Sequence, residues 1–152
     1  MDEPSPFREL LRALEDLAHA SEGATILVEG RRDIEALAAL GCRGNLVPIN
    51  QGEPLFKVCE AVAELGQPVI VLTDWDRRGT ILHGQVTAAL QACGVPVDTA
   101  FRDRIRNLVE GDLKDVEALG RYVARGLERF RQVSLEDHVA SVLDLRGVAE
   151  PF

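Results

Sequence analysis

The run Val69-Ile70-Val71-Leu72-Thr73 stops abruptly at Asp74-Trp75-Asp76-Arg77-Arg78-Gly79, and no other stretch limits so sharply what this chain can become. A short, continuous, β-branched apolar run fits a strand buried on both faces, the kind found in a parallel sheet covered by helices. Residues two apart on an extended segment project to the same side, so Asp74 and Asp76 are expected to point together from the carboxyl end of that strand. Two unit negative charges about 4 Å apart repel by about 4 kcal/mol at an effective dielectric near 20, so the pattern asks for a cation. Mg²⁺ is the natural occupant, with Mn²⁺ as a substitute, because a hard ion takes one or two carboxylates and leaves its other positions for water and phosphate.

A second segment is built the same way. Thr25-Ile26-Leu27-Val28 is a short β-branched run that ends in Glu29-Gly30-Arg31-Arg32-Asp33 before a helical pattern begins. Each acidic loop follows a core strand, contains a glycine suited to a tight turn and opens a helix. In open parallel α/β sheets ligands gather outside the carboxyl ends of the strands, so Glu29, Asp74 and Asp76 are expected to converge on one ion.

Between and around these loops the signals alternate. Ser5 and Pro6 suit the cap and first position of a helix over 6–20, whose apolar face is Phe7, Leu10, Leu11, Leu14, Leu17 and Ala18. A helix from about Arg32 to Leu40 is stopped by Gly41, Asn45 to Ile49 reads as a strand, and Asn50-Gln51-Gly52-Glu53 leads into a helix closed by Gly66. A further helix runs from Gly79 to about Cys93, ended by Gly94, and Val97 to Phe101 supplies a fourth strand. Arg102 to Leu108 is too charged for a central strand. A C-terminal helical extension covers about 112–145, with periodicity from Asp115 to Phe130 and a capping pattern at Ser134-Leu135-Glu136-Asp137 for a last helix through Leu143. Strands alternating with helices imply a parallel sheet. The expectation is one α/β domain over 1–152, a Rossmann-like three-layer sandwich with a central four-stranded, mainly parallel sheet and helices at both ends; 152 residues that are 46% hydrophobic are ample for one core.

Composition removes some classes of function. The opening Met1-Asp2-Glu3-Pro4-Ser5-Pro6 lacks the basic-then-apolar pattern of a signal peptide and no stretch is long enough to cross a bilayer, so a cytoplasmic protein without a membrane partner is expected. Cys42, Cys59 and Cys93 lie far apart without a Cys-x-x-Cys pair and read as buried free thiols. A net charge of −8 argues against a simple nucleic-acid binder, but part of that excess is the acidic cluster itself, which a divalent ion offsets. Arg31, Arg32, Arg77 and Arg78 flank the two acidic loops, where a phosphate backbone would have to lie, and Lys114 joins them more weakly. Trp75, alternating away from the aspartates, is expected to pack rather than stack on a base. His19, His83 and His138 have no ligand spacing.

A glutamate-glycine after one strand, followed by Asp-x-Asp and a glycine after a later one, resembles the Toprim domain shared by topoisomerases, bacterial primases, recombination proteins and nucleases that trim ribosomal RNA precursors. The similarity runs from about Ala24 to Phe101, includes Asp33 and Gly79, and is met again at Gly111-Asp112-Leu113-Lys114-Asp115-Val116-Glu117, which is similar to an acidic, lysine-containing segment of some relatives. The resemblance implies that Asp74 and Asp76 hold Mg²⁺ while Glu29 acts as general acid or base. The activity it implies is Mg²⁺-dependent phosphodiester chemistry on structured RNA or DNA, as an endonuclease or phosphotransferase. Gly30 and Gly79 would allow close approach of phosphate, and Asp33 would either orient Arg32 or Glu29 or serve only as a first-turn acid of its helix. Topoisomerases carry a further acidic residue where this chain has Arg78, so a second metal site of that design is not expected, and the lone Tyr122 reads as packing rather than as a nucleophile. Two rival readings remain open: a non-catalytic module that binds metal and phosphate within a larger nucleic-acid-processing complex, and a receiver or small-molecule phosphatase domain that also places acids at strand ends.

Overall fold

The computed structural model describes residues 5–149, with side chains followed to residue 143; Met1 to Pro4 of the opening read above lie outside them. Four strands, β1 (Thr25–Val28), β2 (Asn45–Pro48), β3 (Val69–Leu72) and β4 (Val97–Asp98), lie side by side in the order β2-β1-β3-β4, and every pairing is parallel. Among the described residues six α-helices accompany them: α1 (Pro6–Ala20), α2 (Arg31–Ala39), α3 (Leu55–Glu64), α4 (Arg77–Ala92), α5 (Ala100–Val109) and α6 (Leu119–Ala149). The fold is α/β with helices on both faces of the sheet and at both ends of the chain, a Rossmann-like three-layer sandwich.

The local chemistry explains the elements. Ser5 caps α1, its hydroxyl accepting from the Arg8 N–H at 3.2 Å, and Pro6 takes the first helical position. All four residues of β1 and all four of β3 are buried, as uninterrupted β-branched and leucine runs require in the middle of a covered sheet. Side chains alternate across it. Leu27, Val69 and Val71 pack with Val58, Cys59 and Val62 of α3 and Val86 and Leu90 of α4. On the opposite face Leu10, Leu14 and Leu17 of α1 and Ile105 and Val109 of α5 are buried, α1 packs on α5, and α5 packs on β3. Each such aliphatic side chain contributes about 1.5–3 kcal/mol when fully buried.

Three boundaries differ from the sequence reading. The fourth strand is Val97–Asp98 rather than Val97 to Phe101, because the Asp98 carboxylate accepts the Ala100 N–H at 2.8 Å and turns the chain into α5. The charged stretch after it is helical: Arg102, Ile105 and Val109 share one buried face. In the C-terminal region Asp112 to Ala118 is a loop, and α6 then runs without a break, so Ser134-Leu135-Glu136-Asp137 lies inside a helix. A capping pattern starts a helix only where the preceding one has stopped, and no glycine or proline lies between Phe130 and Ser134.

The chain divides into two compact units, 1–120 and 121–152. The first holds the sheet, α1 to α5 and both acidic loops. The second is the continuation of α6, along which Phe130, Val133 and Leu135 are exposed.

Candidate functional site

Because β1 and β3 are neighbours in register, Val28 beside Leu72, the loops that leave their carboxyl ends emerge together. This juxtaposition sets Glu29 against Asp74 across 45 residues. The Glu29 Oε2 accepts the Asp74 backbone N–H at 2.8 Å, and the Asp74 Oδ1 accepts the Val116 N–H at 2.9 Å. Both side chains are half-buried. Burial, then the adjoining Glu29 carboxyl group and its charge, push the Asp74 carboxyl up from the ordinary 3.8 to about 8, against the opposing pull of the Val116 N–H. The pair is therefore a place where negative charge is crowded, and a proton or a cation must relieve it.

Asp76 is held differently. It is exposed, and its Oδ1 accepts the Gly79 N–H at 2.7 Å as the N-cap of α4. The strand has already ended at Leu72, so the alternation that would aim Asp74 and Asp76 the same way does not carry through the loop. Trp75, between them, is buried; its indole N–H donates to the Leu113 carbonyl at 2.6 Å and its backbone N–H to the Lys114 carbonyl at 3.0 Å. Among the described residues no group of three His, Cys, Asp or Glu side chains is set to hold a metal ion. The expected meeting of three carboxylates is thus a meeting of two, Glu29 and Asp74, with Asp76 committed by one oxygen to the helix start. Two carboxylates have the donor chemistry that Mg²⁺ uses, since this ion keeps several waters.

The two glycines also separate. A Cβ at Gly79 would collide with the Asp74 carbonyl, coming within 2.6 Å of its carbon, and the Gly79 carbonyl accepts the buried Thr73 hydroxyl at 2.8 Å. Gly79 is buried and its N–H is used by Asp76, so it serves packing rather than phosphate. Gly30 has nothing within 4 Å of where a Cβ would lie, and its N–H donates to the Asp33 Oδ2 at 3.0 Å. Asp33 is 6% exposed, and its carboxyl is raised by burial, with the Gly30 N–H lowering it and Glu29, Glu117 and Asp115 raising it. It is a first-turn acid of α2 whose carboxylate reaches back to the Gly30 N–H.

The cationic side chains ring these loops. Arg31 and Arg32 open α2, Arg77 and Arg78 open α4, and all four are exposed. Arg32 lies 3.6 Å from Glu117, an exposed pair that contributes little to stability. Lys114 is exposed in the loop that crosses behind Trp75, so the Gly111-to-Glu117 segment does reach the acidic pair.

The residue that sequence reasoning missed is Arg102. It is 2% exposed, and its guanidinium donates to the Thr73 carbonyl (3.0 Å), the Asp74 carbonyl (2.8 Å) and the Thr80 hydroxyl (3.2 Å). It ties the end of β3 to the first turns of α4 from behind. Burial lowers its pKa, as does Arg106, while Asp103, Glu29 and Asp74 raise it. The signal was present: Arg102 occupies the apolar stripe of α5 with Ile105 and Val109, and a charge on such a stripe needs buried partners. His83 is half-buried on α4 with Nδ1 unpartnered and its pKa lowered by burial; Cys42 and Cys59 are buried thiols that burial pushes up to about 11, whereas Cys93, expected to be buried too, is only half-buried.

No helix among the described residues is long and apolar enough to cross a membrane. No family model matches the chain. Its structure is similar to that of a protein from Aquifex aeolicus, with a TM-score of 0.60 and 25% identity over 70% of this chain and 94% of that one. A UPF0292 protein of Methanosarcina barkeri is 36% identical over 124 residues, which is 78% of this chain and 86% of the relative. A UPF0292 protein of Methanocaldococcus jannaschii is 34% identical over 122 residues, 80% of this chain and 94% of the relative. A sheet whose two central strands deliver Glu29 and Asp74 to one edge is therefore the frame of a protein that belongs to the UPF0292 family.

Proposed function

We propose that this chain is a cytoplasmic, Mg²⁺-dependent enzyme of the Toprim class that acts on phosphodiester bonds of structured RNA or DNA, as an endonuclease or phosphotransferase. The observation that carries the reading is the half-buried Glu29–Asp74 pair at the carboxyl edge of the sheet, where two acids are held together with no cationic side chain between them among the described hydrogen bonds and ion pairs. Glu29 and Asp74 would hold the ion, with Asp76 two residues beyond Asp74 at the start of α4. When bound, Mg²⁺ neutralises charge that develops on the transferring phosphoryl group and acidifies a bound water. Glu29, steadied by the Asp74 N–H, is the proton carrier. Arg31, Arg32, Arg77 and Arg78 stand on the first turns of α2 and α4, where the helix dipoles add positive potential, and with Lys114 they receive the phosphates. Open space where a Gly30 Cβ would lie leaves room for a backbone to approach.

The test is a panel of structured RNAs and DNAs incubated with Mg²⁺ or Mn²⁺. Glu29→Gln is expected to lower turnover by about 10²-fold or more while nucleic-acid binding is retained. Unchanged turnover in both Glu29→Gln and Asp74→Asn would contradict the reading.

One observation favours a second reading. With Asp76 capping α4 and a net charge of −8, the same pair would suit a module that binds metal and phosphate while a nucleic-acid-processing partner supplies the chemistry. That version expects metal binding without turnover by the isolated chain.

A further inference from the structure

We infer that the cavity beside the acidic pair, between the start of α4 and the loop after β2, is a pocket for one nucleotide, with the base on its aliphatic floor and the phosphate at its arginine end. The inference rests on the nucleic-acid reading above and names the part of the substrate that the site would grip. The cavity measures about 510 Å³ and is lined by Asn50, Arg77, Arg78, Ile81, Leu82 and Gln85. That lies within the ~300–1,000 Å³ typical of small-ligand sites.

The lining is ordered along the helix. Arg77, Ile81 and Gln85 follow one another at intervals of four and so form one stripe of α4, with Arg78 and Leu82 on the adjacent stripe. From one end to the other the wall is cationic, then aliphatic, then amide. Among the described residues neither Arg77 nor Arg78 takes part in an ion pair, so their charge is available to an anion. Leu82 is partly buried against the core cluster, which fixes the floor, whereas Ile81 is 55% exposed. The facing wall is Asn50, whose backbone N–H donates to the Glu29 carbonyl at 2.9 Å, so the pocket is anchored to the residue proposed to move the proton.

These three chemistries in this order suit a nucleotide. A base presents an apolar face that packs on aliphatic side chains or on guanidinium planes, and an edge of donors and acceptors that side-chain amides match. Its phosphate calls for arginine. A lipid chain would leave Asn50 and Gln85 without partners, and a bare phosphate would leave Ile81 and Leu82 without a function.

The test is equilibrium binding of two fluorescent single-stranded tetranucleotides, one intact and one with a single abasic position, with Ca²⁺ in place of Mg²⁺, together with competition by 5′-AMP and 5′-UMP. The natural protein is expected to bind the intact strand about tenfold or more tightly than the abasic one. Ile81→Ser and Gln85→Ala, both on an exposed helix face, are expected to erase most of that difference with unchanged thermal midpoint and Mn²⁺ binding. Base-dependent competition by the mononucleotides would support the pocket and identify free nucleotides as a source; its absence beside a strong abasic effect would support the pocket and identify a residue within a strand. Equal binding of both strands, or full discrimination retained in both variants, overturns the pocket. If discrimination is absent while Glu29→Gln abolishes turnover, the pocket falls and the enzymatic reading stands. If mononucleotides bind in a base-dependent way while no nucleic acid is turned over, the pocket stands and that reading falls.

Discussion

The loops after β1 and β3 look like copies in sequence, each an acid, a glycine and arginines opening a helix, yet the structure gives the matching residues opposite tasks. After β3 the glycine is the rigid part: Gly79 is pressed against the Asp74 carbonyl and its N–H is taken by Asp76. After β1 the glycine is the open part: Gly30 touches nothing where a side chain would lie, and the buried acid, Asp33, is the one that reaches back. The free acids differ accordingly. Glu29 is the first residue past its strand and swings across to Asp74, while Asp76 stays with its own helix. A sequence pattern therefore fixes where a loop is, and the packing behind it decides which of its residues face solvent.

The contrast is breakable, and the largest effect is expected at Gly79. Gly79→Ala forces the Asp74 backbone to move and should destabilise by about 3 kcal/mol, read as a lower denaturant midpoint at unchanged slope. Next comes Arg102→Leu, which leaves the Thr73 and Asp74 carbonyls without their donor behind the same loop; a loss of about 2 kcal/mol is expected, together with weaker Mn²⁺ binding because Asp74 is no longer held. Of a different kind is the pH response of the metal-free protein, spread over several pH units. The Asp74 carboxyl titrates higher when folded than when unfolded, so its contribution to stability is complete below about 3.8 and is lost as pH rises toward about 8. The thermal midpoint should fall across that window, and Mg²⁺ or Asp74→Asn should flatten the slope. The smallest effect is at Gly30, where Gly30→Ala should change stability by less than about 0.5 kcal/mol, since its φ of −148° is open to any residue.

Much of this was legible from residues alone, for reasons that can be named. The central strands are unambiguous because TILV and VIVL are buried on both faces and carry no charged residue. Helix ends were readable where chemistry punctuates them, as at Ser5-Pro6, and at Gly66 and Gly94, which adopt φ of 72° and 74°. The Glu29–Asp74 meeting followed from strand adjacency, which parallel topology makes natural. What failed was local alternation beyond the strand: Asp76 obeys helix capping, and the two-residue period has no force in a loop. The apolar stripe of α5 marked Arg102 as unusual, but its partners, like the Val116 N–H, were hidden because both act from elements distant in sequence, 28 and 42 residues from Asp74. No pattern within either acidic loop could name them.

The pairing of Glu29 with Asp74 as a divalent-cation site is tested most directly by Mn²⁺ titration of the natural protein and of Glu29→Gln and Asp74→Asn at pH 8, followed by the loss of free-ion paramagnetic signal. One ion bound per chain by the natural protein, with affinity reduced at least tenfold in each variant and their thermal midpoints no lower than that of the metal-free natural protein, is the expected result. Equal Mn²⁺ affinity in all three proteins would contradict it.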